Sequence, residues 1–108
     1  MIYAIGYFKM GHPGYVKFGR ARNPYTRVRE LQTGCPLHLE LWAAVDLDDR
    51  NEFRIHSAFS EYRLRGEWFS YEGDVGDFVQ ILIEPIDVEQ KKKNAIRFLN
   101  QKMSKKAA

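Results

Sequence analysis

Residues 2–8, IYAIGYF, are β-branched and aromatic with a loose alternation, which predicts a strand carrying Tyr3, Ile5 and Tyr7 on one face. The turn formers of KMGHPG follow, and Tyr15 to Arg20 then alternates again, setting Tyr15 and Lys17 on one face and Val16 and Phe18 on the other. Two such segments around a short turn predict an antiparallel hairpin. Asn23 is a good N-cap, Pro24 suits the first helical position and Gly34 falls just past the end, so residues 24–33 are expected to form a helix with Val28 and Leu31 inward. In HLELWAAVDL the alternation returns and predicts a third strand, with Leu39, Leu41, Ala43 and Val45 sharing one side.

Helical spacing takes over next. Asp48 or Asp49 should cap a second helix running to about Tyr62, its apolar surface built from Phe53, Ile55, Ala58, Phe59 and Tyr62. RLRGEWFSYEG is expected to be a turn and a short extended piece. DVGDFVQILIEP predicts a third helix ended by Pro85. Residues 87–103 predict a fourth, basic and amphipathic through Val88, Ala95, Ile96 and Leu99, with 104–108 fraying. The expected order is β-β-α-β-α-α-α, an α/β chain of the α+β type: a small three-stranded antiparallel sheet flanked by helices. Residues 1–85 would carry the site, and 86–108 a basic C-terminal helix and tail of the same single domain.

Composition narrows the class. A chain of 108 residues supports one core, and 44% hydrophobic with 14% aromatic residues excludes a disordered chain. No apolar run approaches the ~20 residues of a bilayer span, and MIYAIGYFKM lacks a basic leader, so neither a membrane partner nor a signal peptide is expected. The single Cys35 cannot pair internally, which makes a reducing, cytoplasmic setting the expectation. The net charge of +3 is unevenly spread: residues 86–108 hold seven Lys and Arg against two acids, while the rest is slightly acidic. That polarity predicts an electrostatic footprint for a polyanion, with lysines that merely solubilise a terminal helix as the competing account.

The chemistry-bearing residues are few. Tyr3 and Lys17 lie on hairpin faces, Arg27 lies off the apolar stripe of the first helix, and Glu52 and His56 stand one helical turn apart. A phenol, two cations, a carboxylate and an imidazole suit phosphodiester hydrolysis: an oxygen ligand for a hard cation, positive charge for the developing anion, and a group to activate water.

These positions carry a resemblance. Ile2-Tyr3-Ala4-Ile5 resembles the first motif of the GIY-YIG nuclease superfamily, and Val16-Lys17-Phe18-Gly19 resembles its second. Arg27, eight residues beyond Gly19, matches the helix arginine, and Glu52 in NEFRIHSAF matches the metal-binding glutamate. RVRELQTGCP and RLRGEWF are similar to a divergent, often phage-borne branch with a VKIG-like second motif and a terminal EWF. The resemblance spans residues 1–70 and implies the three-stranded sheet with packed helices. Two departures stand out. Met1 occupies the place of the first glycine, and Lys17 that of the second tyrosine, an exchange between groups whose reference pKa values are both about 10. The asparagine that many members carry late in the domain has no clear counterpart; Glu67 and Tyr71 are the polar residues available, and neither is taken as its replacement.

The resemblance implies a metal-dependent endonuclease acting on DNA, or RNA. Glu52 would bind one Mg²⁺ or Mn²⁺, Tyr3 would activate water with help from Lys17, Arg27 would stabilise charge on the phosphoryl oxygens, and His56 would assist as a neighbouring proton carrier. Arg20, Arg22, Arg29, Lys91, Lys92, Lys93 and Arg97 are the expected nucleic-acid contacts. The alternatives are a nucleic-acid-binding domain that no longer cuts and a phage-encoded protein-interaction module.

Overall fold

The computed structural model describes residues 1–107. A tight turn at Met10 and Gly11, with φ of 53° and 81°, joins β1 (Ile2–Lys9) to β2 (His12–Arg20), so the hairpin closes on two residues with positive φ instead of a six-residue loop. Helix α1 (Pro24–Gln32) begins as the sequence requires: the Asn23 side chain accepts the backbone N–H groups of Tyr25 and Thr26 at 3.1 and 3.2 Å. β3 (Glu40–Val45) pairs antiparallel with the outer side of β1.

Helix α2 spans Arg50–Ala58, and a single 3₁₀ turn at Ser60–Tyr62 replaces its expected last turn. Asp48 caps it by accepting the Arg50 N–H at 3.0 Å. The expected turn and extended piece is instead a second hairpin, β4 (Arg63–Arg65) and β5 (Trp68–Ser70), closed by Gly66 at φ 58°. β5 pairs with β2, so the sheet has five antiparallel strands in the order β3-β1-β2-β5-β4, not three. Helices α3 (Gly73–Ile83) and α4 (Val88–Ala107) follow. α4 does not fray at 104, because Lys106 binds Ser60 and Glu61 near its end; the expected fraying at Ala108 lies outside the described residues.

The sheet divides two cores. On one face Val16, Phe18, Ala43, Val45 and Phe69 meet α2, α3 and α4 through Ile55, Phe59, Phe78, Ala95 and Leu99, all nearly inaccessible to water. Each Phe so buried contributes about 2–3 kcal/mol. On the other face Tyr3, Ile5, Tyr7 and Leu39 receive Val28 and Leu31 of α1. The third strand does not keep one side throughout. A register shift between Ala4 and Ile5, opposite Trp42, turns Leu39 and Leu41 to the α1 face while Ala43 and Val45 face the larger core. Phe53, expected on the buried side of α2, is 74% exposed.

Candidate active site

Tyr3 and Gly19 are cross-strand partners in the β1–β2 ladder. A methyl group on Gly19 would lie 2.6 Å from Tyr3 Cζ and 3.2 Å from Glu67 Oε2, so the phenol and the carboxylate approach each other over bare backbone. Glycine at position 19 is thus a spatial requirement. It makes room for a site between β1, β2 and the β4–β5 hairpin.

Lys17 points to the same face as Tyr3 and is almost wholly buried. Its ammonium donates to Glu67 Oε2 at 2.5 Å. Glu67 lies in the turn of the second hairpin, and its own carbonyl accepts the Phe18 N–H at 3.2 Å, which fastens that turn to β2. Burial pushes the Glu67 carboxyl up, but the Lys17 hydrogen bond and charge, with the Glu52 hydrogen bond and the His56 charge, together lower it below its ordinary value.

The first turn of α2 brings Glu52 to this point. Glu52, His56 and Glu67 each present a ligand atom within 4.8 Å of the others. Burial, then the Glu67 hydrogen bond and charge, raise the Glu52 carboxyl, while His56 and Arg20 pull the other way. Two carboxylates sharing one site cannot both ionise freely, and because Lys17 sits on Glu67, Glu52 is the one pushed up. His56 Nε2 stands 2.9 Å from the Phe18 carbonyl oxygen, and its ring meets Phe69 edge-on at 5.2 Å. If Nε2 carries the proton and donates it there, a neutral imidazole keeps the Nδ1 lone pair as its ligand atom.

Arg27 approaches from α1. The Tyr3 hydroxyl beside it, followed by Glu30 at 3.3 Å, holds the guanidinium above its ordinary value. Tyr3, Lys17, Arg27, Glu52 and His56 therefore gather around one cleft from four separate elements. Glu67 is the member that sequence reasoning passed over. Its signal was its position directly before Trp68-Phe69 and after Gly66, at the tip of a hairpin too short for periodicity to disclose. Tyr71 is elsewhere, its hydroxyl accepting from Gln80 at 3.0 Å.

The expected nucleic-acid contacts separate. Arg20 is engaged with Glu52 at 3.2 Å and Asp49 at 3.3 Å, so it belongs to the carboxylate cluster rather than to a free phosphate surface. Arg22 and Arg29 are exposed. Lys91, Lys92, Lys93 and Arg97 sit on α4, which packs against the opposite face of the sheet from Tyr3 and Lys17, and Lys92 pairs with Glu89 at 3.5 Å. On that face α4 packs against α2, the element that carries Glu52 and His56. Among the described residues no helix is long and apolar enough to cross a membrane.

A family model, the T5orf172 domain, matches residues 1–89, which takes in the whole sheet, the first three helices and every residue of the cleft. No curated protein and no solved structure matches the chain.

Proposed function

The chain belongs to the T5orf172 domain family, and from that premise we propose that it is a divalent-metal-dependent nuclease that hydrolyses phosphodiester bonds in DNA by a GIY-YIG-like arrangement. The observation that carries this is the convergence of Tyr3, Arg27 and the Glu52–His56–Glu67 trio over Gly19. Two carboxylates and one imidazole suit Mn²⁺ well, and Mg²⁺ through the oxygens. Such an ion would supply a Lewis acid for the phosphate and its leaving 3′-oxygen.

The protein's own groups do the rest. Tyr3, acting as the phenolate, takes the proton of the attacking water and is left as the phenol. The Arg27 guanidinium, beside that hydroxyl, takes up charge on the equatorial oxygens. Lys17 acts as a positioning residue: it holds Glu67 beside Glu52 and offsets its charge until a cation takes that carboxylate in its place. His56 is oriented by the Phe18 carbonyl.

A second reading, a nucleic-acid-binding domain without cleavage, is favoured by one observation. Lys17 stands where the resemblance calls for a tyrosine, and its ammonium is already committed to Glu67.

Supercoiled plasmid with Mg²⁺ or Mn²⁺ decides between the two. Cleavage should fall about 100-fold or more in Tyr3→Phe, Arg27→Ala and Glu52→Ala. Parent protein that binds plasmid but leaves it supercoiled with either ion selects the second reading.

A further inference from the structure

Beyond the cleft, the open part of the sheet carries a second arrangement. In the ladders Lys17 pairs with Trp68 and Trp68 with Arg65, and Tyr15 lies two residues before Lys17 on the same face. Directly paired residues of antiparallel strands project to the same side. Tyr15, Trp68 and Arg65 therefore share the face on which Lys17 and Tyr3 approach the carboxylates. Helix α1 covers this face only over β1 and β3, where Val28 and Leu31 meet Tyr3, Ile5 and Leu39.

Three aromatic rings continue the cleft. Tyr7 is buried and touches both Tyr15, edge-on at 5.9 Å, and Trp68, tilted at 6.3 Å. Tyr15, braced by that ring, remains 42% exposed. Arg65, on the outermost strand, is exposed and makes no ion pair or side-chain hydrogen bond among the described residues. Its neighbour Arg63 is occupied instead, donating Nε to the Gly66 carbonyl at 2.6 Å and stiffening the hairpin. Edge-strand arginines also discourage sheet-to-sheet pairing, but that role does not require Arg65 to face the same way as Lys17.

We infer that this face is a track for single-stranded nucleic acid, in which Tyr15 stacks on a base and Arg65 anchors the backbone away from the bond to be cut. An aromatic platform beside free cationic charge is the chemistry that holds unpaired strands with little regard to sequence. β4 is two strands from β2, about 10 Å away, so Arg65 reaches a phosphate other than the one at the carboxylates. The inference takes from the nuclease proposal only the position of the cleft.

Binding to a fluorescent oligothymidylate and to a blunt duplex of equal length, in a Glu52→Gln background with EDTA, tests it apart from cleavage. The single strand should bind tighter than the duplex. Tyr15→Ala should weaken single-strand binding at least about fivefold while leaving the salt slope unchanged. Arg65→Ala should weaken it and reduce the slope of log affinity against log salt by about 0.7. Lys93→Ala, on the far side of the sheet, should change neither. Unaltered affinity and slope in both Tyr15→Ala and Arg65→Ala, with unaltered melting temperatures, overturn the inference, as does a parent protein that prefers the duplex. A parent that follows the expected pattern yet never cuts plasmid upholds the track and removes the nuclease proposal.

Discussion

Lys17 Nζ and Glu67 Oε2 lie 2.5 Å apart although the residues are 50 positions distant in the chain, and this pair joins the first hairpin to the second. Lys17 is nearly buried, so removing the ammonium leaves Glu67 beside Glu52 with only the weaker pull of His56 on its charge, Arg20 being held by Glu52 and Asp49. Lys17→Met should therefore cost about 2 kcal/mol of stability in metal-free buffer. The same change removes a competitor for Glu67. Mn²⁺ should then raise the melting temperature of Lys17→Met by more than it raises that of the parent. Thermal denaturation with and without Mn²⁺ checks both signs, and an equal metal-induced rise in the two proteins would refute the role given to Lys17.

Gly19 offers a test that adds only one methyl. That methyl would press on the Tyr3 ring at 2.6 Å and on Glu67 at 3.2 Å, both held by the strands and hairpin around them. Gly19→Ala should cost about 1–3 kcal/mol from overpacking and lower plasmid cleavage at least tenfold, since a displacement near 1 Å at such a site is that damaging. Gly11→Ala is the comparison: it has nothing within 4 Å and is strained only by its φ of 81°, so cleavage should survive there. Circular-dichroism melts and nicking rates, read together, separate packing from chemistry.

Helix α4 looks in sequence like a detachable basic grip, and the structure assigns it to the core. Ala95 and Leu99 are inaccessible to water within the cluster that includes Phe18 and Phe59. Leu99→Ala should cost about 2–5 kcal/mol. Removing residues 87–108 should unfold the chain rather than merely loosen its hold on nucleic acid. Lys91→Ala, Lys93→Ala and Arg97→Ala combined should leave stability within about 0.5 kcal/mol per site. A truncated protein with a cooperative melt would contradict this.

How much of the site could be read in sequence follows from the range of the forces involved. The β1–β2 hairpin, the Asn23–Pro24 start of α1 and the shared faces of Tyr3 with Ile5 and of Lys17 with Tyr15 are local, set by propensity, capping and period two. The β4–β5 hairpin is not local. Arg63–Arg65 and Trp68–Ser70 are three residues each, too short to show a period, and they are strands because β2 offers an edge to β5 and β5 offers one to β4. Glu67 was missed for that reason: its place beside Lys17 is created by long-range pairing. The turn of Leu39 and Leu41 to the α1 face is likewise the work of a register shift against β1, which alternation alone cannot reveal.

Acid stability rests on a cluster away from the cleft. Lys102 lies 2.6 Å from Asp74 and 2.8 Å from Glu61, and Lys106 reaches Glu61 at 2.8 Å, so α4 is fastened to both the 3₁₀ turn and α3. The Lys102 and Lys106 hydrogen bonds hold the Glu61 carboxyl at about 2, against an ordinary 4.5. A folded value below the unfolded one means that Glu61 binds its proton more readily when the chain is unfolded. Its contribution is complete above pH 4.5 and is lost as pH falls through about 2. Lys102 shifts upward, first through Asp74 and then Glu61, and its contribution disappears only at strongly alkaline pH. Because Glu61 and Asp74 are both more than a third exposed, solvent screens these pairs and their worth is modest. Glu61→Gln should therefore melt below the parent at pH 7, and the gap should narrow steadily from pH 4.5 towards pH 2. A gap that stays constant over that window would place the effect in packing of the turn instead of in charge.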